Sequence, residues 1–415
     1  MLPLFYLISH YSNLPFRAWE QRKFEDCFNF PVSTNSLSRV MLNYDKGEVK
    51  NVHYGDVLIK YPCILNIKKE EIPYITGGCL EAYNSNLLEN GDLIFADAAE
   101  DETVGKAVEV NGITNENLVS GLHTIVARAT TQKAKYFLGY YINSDIYHRQ
   151  LLRLMQGSKV SAISKGNLQK TDVSFPKDIE EQQKIGSYFK KLDSTIALHQ
   201  RKLDALKLMK KGFLQQMFPK IEADIPEIRF ADFDGKWEQR KLGEIFNERS
   251  ERSADGELIS VTINSGVVKA SKLEKKDNSS FDKSNYKVVK KGDIAYNSMR
   301  MWQGASGYSS YDGILSPAYT VIYPRKDIDT IFIAYMFKKI DMIQTFQRNS
   351  QGLTSDTWNL KFPSLSTIKI KIPANDEQIK ITNLFQKLEY TSILHQNQIE
   401  MLKKVKKAYL QTMFI

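Results

Sequence analysis

The chain has 415 residues, of which 42% are hydrophobic and 25% are charged, and its formal net charge at pH 7 is +9. This length is enough for two or three domains with ordinary hydrophobic cores, and the composition is that of a soluble globular protein. The positive charge favours a polyanionic partner such as nucleic acid.

Cysteine usage and the amino terminus exclude further classes. The three cysteines, Cys27, Cys63 and Cys79, are odd in number and lack the CxxC or Cys/His spacing of a metal site. They argue against disulfide staples and structural zinc, and they favour a reducing compartment, the cytoplasm. Residues 1–8 are apolar, but they have no basic leader and are too few to span a bilayer, so they predict neither a signal peptide nor a membrane anchor.

A long-period duplication follows the amino terminus. The pentapeptide Trp-Glu-Gln-Arg-Lys at residues 19–23 returns at residues 237–241. The basic stretch 175–218 returns as 372–414, and both copies end in Leu-Gln-x-Met-Phe. A repeat of this length predicts two like domains, each followed by a like helix, and not a solenoid of short units.

Each globular part combines short strands with helices, in chain order. Strands are predicted where β-branched and aromatic residues lie between Gly, Asn and Pro breakers, at 57–60, 93–96, 123–127, 293–297 and 319–323. Helices are predicted where apolar residues recur at steps of three and four, at 135–154 and 331–348. The fold class is therefore α+β, with two globular domains.

The repeated basic stretches carry apolar residues at the 3.5-residue period of a coiled-coil seam. The first seam consists of Ile185, Phe189, Leu192, Ile196, His199, Leu203, Leu206, Lys210, Phe213 and Met217. The second consists of Ile381, Phe385, Leu388, Ser392, His395, Ile399, Leu402, Lys406, Tyr409 and Met413. Each seam could pack on its own domain, but two seams in the same register favour pairing with each other.

Antiparallel pairing of these helices would turn a direct repeat in sequence into a pseudo-two-fold arrangement in space. A helix over 185–217 would be roughly 50 Å long, which is enough to hold two domains apart. Duplex DNA has the same symmetry, since its strands are antiparallel. Because the loops of the two globular parts differ, we expect an asymmetric, two-part DNA target separated by bases that are not read.

The start of each long helix resembles that of a known family. Pro176 precedes Glu181-Gln182, and Pro373 precedes Glu377-Gln378. The second globular part opens with Lys-Leu-Gly-Glu at 241–244, which the first part follows loosely, since Phe-Glu-Asp stands at 24–26. This order of module, helix, module, helix resembles the specificity subunit of type I restriction-modification systems.

The resemblance implies a domain organisation and a set of partners. Residues 1–174 and 223–371 would be target recognition domains, and residues 175–222 and 372–415 would be conserved spacer helices forming an antiparallel coiled coil. The partners would be double-stranded DNA, two methyltransferase subunits and two restriction (motor-nuclease) subunits, with no membrane. The chain itself would hold no cofactor, because S-adenosylmethionine, ATP and Mg²⁺ would be bound by those partner subunits.

Catalytic motifs are missing from the sequence, which agrees with a non-catalytic subunit. It has no GxxxxGK[ST] loop, no GxGxxG and no Asn-Pro-Pro-Tyr or Asp-Pro-Pro-Tyr motif. We therefore predict no catalytic and no metal-binding residue in this chain. Two alternatives stay open: a duplicated coiled-coil adaptor that binds proteins, and an enzyme with an unrecognised nuclease or transferase site. Salt-dependent DNA binding would argue against the adaptor, and turnover by the isolated chain would support the enzyme.

Candidate DNA contacts are polar and basic residues in loops next to the predicted strands. In the second globular part, one loop offers residue types that can contact base edges, together with an aromatic ring. The candidates there are Asn297, Arg300, Trp302, Gln303, Gln351 and Ser355. The candidates in the first globular part are Lys60, Tyr61, Tyr74, Thr76, Gly77, Arg128, Lys159 and Lys165.

Overall fold

The computed structural model describes residues 19–155, 160–273 and 280–414. The chain forms two compact units, of which unit 1 is Met1–His199 with Asn397–Ile415 and unit 2 is Gln200–Gln396. None of the helices in the described ranges is long and apolar enough to cross a membrane.

Unit 1 contains thirteen of the described strands. They are β1 (Trp19–Lys23), β2 (Phe28–Asn29), β3 (Leu42–Asn43), β4 (Val49–Val52), β5 (Ile64–Asn66), β6 (Tyr74–Ile75), β7 (Leu93–Ala96), β8 (Ala98–Ala99), β9 (Ala107–Asn111), β10 (Asn117–Ser120), β11 (Thr124–Ala129), β12 (Ser161–Ala162) and β13 (Asp172–Pro176). Its helices are α1 (Phe24–Cys27), α2 (Tyr54–Ile59), α3 (Phe137–Ile142), α4 (Asp145–Leu154), α5 (Lys165–Gln169) and the first part of α6 (Ile179–Gln216).

Unit 2 contains the remaining elements. Its strands are β14 (Glu238–Lys241), β15 (Phe246–Glu248), β16 (Ile259–Thr262), β17 (Gly266–Lys269), β18 (Lys287–Val289), β19 (Ile294–Asn297), β20 (Ser306–Tyr308), β21 (Gly313–Leu315), β22 (Tyr319–Pro324) and β23 (Lys369–Ile372). Its helices are the second part of α6, α7 (Leu242–Ile245), α8 (Thr330–Met336), α9 (Ile340–Asn349), α10 (Phe362–Ser366) and the first part of α11 (Asn375–Thr412), whose remainder belongs to unit 1.

The two units repeat one framework. In unit 1 the central sheet has the order β2-β11-β7-β9-β5, and β1 pairs with β13. In unit 2 the corresponding sheet has the order β15-β22-β19-β20, and β14 pairs with β23. Unit 1 also has a four-stranded sheet, β10-β4-β6-β3, where unit 2 has the two-stranded sheets β16-β17 and β18-β21. The predicted α+β class and the duplication are therefore confirmed.

The predicted strand at 57–60 is wrong, because this segment lies in helix α2. The His53 side chain caps the helix by accepting a hydrogen bond from the Gly55 N–H at 3.2 Å. Asp56 in the first turn accepts two hydrogen bonds from Arg39, at 2.8 and 2.9 Å. A side-chain cap and an acidic first turn both stabilise a helix, and they outweigh the strand propensity of two β-branched residues.

The two long predicted helices are each broken into two. Residues 135–154 form α3 and α4, because the Asn143 side chain exchanges two hydrogen bonds with the backbone of Ala107, and Ser144 caps α4. Residues 331–348 belong to α8 and α9, which are separated at residues 337–339. At the first break, the Asn143 and Ser144 side chains bind nearby backbone groups and so compete with helix continuation. In both segments the apolar periodicity alone overestimated the helix length.

A buried carboxylate anchors the start of α3. Glu109 on β9 is 2% exposed and accepts hydrogen bonds from the N–H groups of Tyr136, at 2.7 Å, and Gly139, at 2.8 Å. Burial raises the pKa of this carboxyl to about 7, although both hydrogen bonds and Lys190 act in the opposite direction. The folded state therefore binds a proton that the unfolded chain releases above its ordinary pKa of 4.5.

We expect the contribution of Glu109 to the free energy of unfolding to be complete below about pH 4.5 and to fall by about 3 kcal/mol as the pH rises to about 7. The difference in unfolding free energy between the native chain and Glu109→Gln, measured by denaturant titration at several pH values, isolates this contribution. Glu116→Gln is the control, because backbone N–H groups lower the pKa of Glu116 to about 2, so this variant has no effect on the slope between pH 4.5 and 7. A pH-independent difference for Glu109→Gln would contradict the prediction.

The long helices run antiparallel in each unit. In unit 1, Tyr188 of α6 lies 5.5 Å from Tyr409 of α11 between ring centroids, and Asp193 binds Lys406 at 2.6 Å. In unit 2, Lys210 binds Glu389 at 2.6 Å, and Phe218 lies 6.1 Å from Phe385. Residue numbers rise on one helix while they fall on the other. The predicted antiparallel pairing is therefore confirmed, and the predicted seam positions are buried or half-buried.

The same three-residue polar cluster joins the helices to the globular part in both units. In unit 1, Asp193 accepts hydrogen bonds from the Tyr140 hydroxyl, at 2.7 Å, and from the Lys406 ammonium. In unit 2, Glu389 accepts from the Tyr335 hydroxyl, at 2.8 Å, and from Lys210. Each carboxylate is thus shared between its own globular part and the opposite helix. A misaligned pairing would separate these charges, so the clusters favour one register.

Candidate nucleic-acid interface

The last residue of β19 and the loop that joins β19 to β20 in unit 2 hold four of the predicted DNA contacts. Its backbone is closed by hydrogen bonds from Asn297 N–H to Ala305 O at 2.9 Å and from Ala305 N–H to Arg300 O at 3.1 Å. The Asn297 side chain accepts the Met299 N–H at 3.0 Å, which makes Asn297 a loop-forming residue. Arg300 is exposed and Gln303 is half-buried. The loop is thus a rigid platform that presents Arg300.

A second loop, residues 350–358, contacts the first loop through a pair of tryptophan rings. The rings of Trp302 and Trp358 meet edge to face, with centroids 5.2 Å apart. Gln351 pairs with Asn359 at the base of the second loop, and Gln351 and Ser355 are both exposed. The structure therefore brings all six predicted residues of unit 2 into two adjoining loops, with Trp302 between them.

In unit 1, three predicted residues lie at the end of β6, in the four-stranded sheet, and in the turn that follows it. Tyr74 of β6 carries the Lys50 ammonium over its ring at 5.4 Å. Thr76 accepts a hydrogen bond from the Asn43 side chain at 3.1 Å. Gly77 is exposed with a φ of 67°, and a Cβ there would meet nothing within 4 Å. The end of β6 and the turn after it thus present a basic, aromatic and polar surface.

Lys60 and Tyr61 differ in exposure although they are neighbours in sequence. The Lys60 ammonium donates to the Glu71 carbonyl at 2.7 Å and lies 4.8 Å from the Tyr44 ring centroid. Tyr61 is 2% exposed, its hydroxyl donates to the same carbonyl at 3.3 Å, and burial raises its pKa. Tyr61 is therefore a core residue, which leaves no exposed surface for the DNA contact expected of it.

Arg128 is held inside unit 1 by carboxylates. Its guanidinium donates two hydrogen bonds to Asp92, both at 2.7 Å, and one to Glu89 at 2.6 Å. In unit 2, Arg249 binds Asp293 in the same bidentate way, at 2.7 and 2.8 Å. The repetition of this ion pair indicates that Arg128 supports the framework, while the DNA contact expected of Arg128 stays a prediction.

The last two predicted residues lie apart from these groups. Lys165 is exposed at the start of α5, and its ammonium lies 5.5 Å from the Phe30 ring centroid. Lys159 lies outside the described residues. In the contacts that the structure describes, Lys165 is therefore separate from both the turn after β6 and Lys60.

Sequence reasoning missed several residues of these surfaces. Met299 and Trp358 lie in the two loops of unit 2, Arg348 comes shortly before the second loop in the chain, and Met299 is 42% exposed. In unit 1, Val40 and Ile59 are 86% and 88% exposed beside the Arg39–Asp56 pair. Trp358 follows the predicted contact Ser355 closely in sequence, and this nearness was the only signal for it. Single apolar surface residues such as Val40 carry no sequence signal of function.

The loop of unit 1 that corresponds to the Arg300 loop has the opposite charge. In unit 1 the loop runs from β7 to its antiparallel partner β9, and in unit 2 it runs from the equivalent strand β19 to its antiparallel partner β20. Asp97, Glu100, Asp101 and Glu102 occupy the loop in unit 1. Asp97 lies 3.2 Å from the His123 imidazole, and burial raises the pKa of its carboxyl. The same framework therefore presents two chemically different loops.

Comparisons with known proteins agree with this architecture. The family model described as type I restriction modification DNA specificity domain matches residues 18–208 and 234–404. The S subunit of a type I restriction-modification system from M. genitalium is similar over 97% of this chain and 98% of that chain, with 14% identity and a TM-score of 0.58. A structure on complex assembly and conformational transition of the type I R-M system covers 96% of this chain and 97% of its own, with 15% identity and a TM-score of 0.51.

Proposed function

Since this chain belongs to the type I restriction-modification DNA specificity family, we propose that it is the non-catalytic subunit that recognises the DNA target of such a system. It reads an asymmetric sequence in two parts, separated by bases that it does not read. It delivers two methyltransferase subunits and two restriction subunits to that sequence. S-adenosylmethionine, ATP and Mg²⁺ are bound and used by those partner subunits.

One observation carries this proposal: two globular parts share a framework while their corresponding loops differ in charge. The sheets β2-β11-β7-β9 and β15-β22-β19-β20 have the same order. The loop after β7 is acidic, whereas the loop after β19 presents Arg300 and Gln303. A shared framework supports a common way of approaching duplex DNA, and different loops support different half-sites.

The long helices support a role in subunit assembly. Tyr390, Ile393 and Leu394 of α11 are 63%, 57% and 43% exposed, and their spacing places them together on the side away from the seam. A solitary helix pair carries polar residues on that outer face. Apolar residues there support docking of a further protein, which in the proposed function is a methyltransferase subunit.

The experiment combines the chain with its methyltransferase subunits in a host and maps the methylated adenines by sequencing. We expect one two-part sequence with a fixed gap. The chain and its complex should also lose affinity for duplex DNA steeply as salt rises, because the positive charge releases counterions from the phosphates. Salt-independent or undetectable DNA binding would instead support the protein adaptor. DNA cleavage or methylation by the isolated chain would contradict a non-catalytic role.

A further inference from the structure

We propose that Arg300 is the residue by which unit 2 recognises a guanine, and that Trp302 and Trp358 are positioning residues that fix its loop. This inference rests on the proposed function, and it names the base class that one half of the target contains. Four features carry it: a closed backbone, a tryptophan clamp, an unpaired guanidinium and the geometry of the guanine edge.

The backbone around Arg300 has little freedom. The Arg300 N–H donates to Asn297 O at 3.0 Å, and the Arg300 carbonyl accepts from the N–H groups of Gln303, at 3.0 Å, and Ala305, at 3.1 Å. The next side chain, Met301, is 0% exposed and anchors the turn in the core of unit 2. Both backbone polar groups of Arg300 are thus satisfied within the loop, so its Cα is fixed relative to the sheet.

The tryptophan pair holds the outer side of the loop. The Trp302 indole N–H donates to Met299 O at 3.1 Å, on the residue that precedes Arg300. Trp358 meets the Trp302 ring, and the Leu360 N–H donates to Ser298 O at 2.8 Å, which ties the two loops together. The polar atom of Trp302 is thereby used inside the protein. Its role is to orient the loop and not to donate to DNA.

The guanidinium of Arg300 is free to bind a ligand. Arg229 binds Glu377, Arg240 binds Glu244 and Arg249 binds Asp293 in the same unit. The Arg300 side chain is exposed, and its guanidinium makes no hydrogen bond or ion pair with any residue that the structure describes. An unpaired fork of N–H donors on a fixed loop is therefore a directional donor that is available to a ligand.

A fixed arginine fork matches the edge of a guanine. In the major groove guanine presents two adjacent acceptors, O6 and N7, which match two parallel N–H groups of arginine. The same fork also fits a phosphate, but a phosphate contact carries no base information. A phosphate contact gains little from the rigid closure of the Arg300 loop. Two parallel hydrogen bonds to a base edge, in contrast, require the arginine to be held in a fixed position. The geometry therefore favours base reading.

The test uses the complex of the full chain with its methyltransferase subunits and a DNA library in which one half-site is randomised. For Arg300→Lys and Arg300→Gln we expect discrimination at one guanine to fall by between about 5-fold and 150-fold, with the other positions unchanged. Trp302→Ala should relax several positions of the same half-site, and Trp302→Phe, which retains an aromatic ring, should relax them less. Arg240→Gln is the matched control and should leave the recognised sequence unchanged.

Two results would overturn the inference. Uniformly weaker methylation of all sequences, with a shallower salt dependence, would make Arg300 a phosphate contact. An unchanged sequence preference in both Arg300 variants would remove Arg300 from recognition altogether. If the native complex methylates no two-part sequence, the proposed function itself is wrong and this inference falls with it. Native thermal stability of the variants confirms that any effect arises at the surface.

Discussion

An Arg128→Met variant is expected to lose about 3–5 kcal/mol of unfolding free energy, because it leaves a buried carboxylate without its partner. The Asp92 side chain is 1% exposed and receives two of its hydrogen bonds from Arg128. Asp92 also accepts the Glu89 N–H at 2.8 Å, which fixes the turn that leads into β7. Chemical denaturation followed by circular dichroism measures the loss.

The control for this prediction is the double variant Arg128→Met with Asp92→Asn. It removes the unpaired, buried charge of Asp92 but retains an oxygen that can accept the Glu89 N–H. We therefore expect the double variant to be more stable than the single variant. Arg249→Met in unit 2 should behave like Arg128→Met, since the Asp293 side chain is 3% exposed. Native stability of Arg128→Met combined with an altered target sequence would instead show that Arg128 reads DNA.

The long helices could be predicted from the sequence because one physical rule dominates them. Apolar residues that are buried every 3.5 positions produce a sequence pattern that can be recognised without knowledge of the partner helix. The same apolar pattern occurs in both helices, with Phe189 matching Phe385 and Leu192 matching Leu388. This repetition predicted that each long helix packs against the other. The observed antiparallel contacts follow that register in both units.

The globular parts were less predictable because long-range partners decide their local structure. The helix at residues 54–59 is stabilised not only by local residues but also by Arg39, which lies 17 residues before its partner Asp56 in the chain. Arg128 has the residue type of a DNA contact, and only its distance from Asp92 shows that the charge is used internally. Trp358 likewise acquires a role through the distant Trp302. Residue type suggests what a side chain can bind, while packing decides whether it is available.

The repeated Leu-Gln-x-Met-Phe motif provides the second large expected effect. Phe414 is 2% exposed, and its ring lies between 5.6 and 6.2 Å from those of Trp19, Phe137, Tyr141 and Phe189. Replacing a buried phenylalanine by alanine removes its contacts and leaves a cavity. We therefore expect Phe414→Ala to lower the unfolding free energy of unit 1 by about 3–5 kcal/mol.

The Phe218→Ala variant makes this prediction specific to the antiparallel arrangement. Phe218 ends the first copy of the motif, and it packs in unit 2 at 5.1 Å from Phe332 and 6.2 Å from Trp237. Each copy thus completes the aromatic core next to the start of the other long helix. Hydrogen exchange should report faster opening of β7 and β11 in Phe414→Ala, and of β19 and β22 in Phe218→Ala. Phe414→Leu, which keeps most of the apolar volume, should lose less. If Phe414→Ala instead destabilised unit 2 and Phe218→Ala destabilised unit 1, each motif would have to pack on its own repeat. Antiparallel helices do not allow that packing.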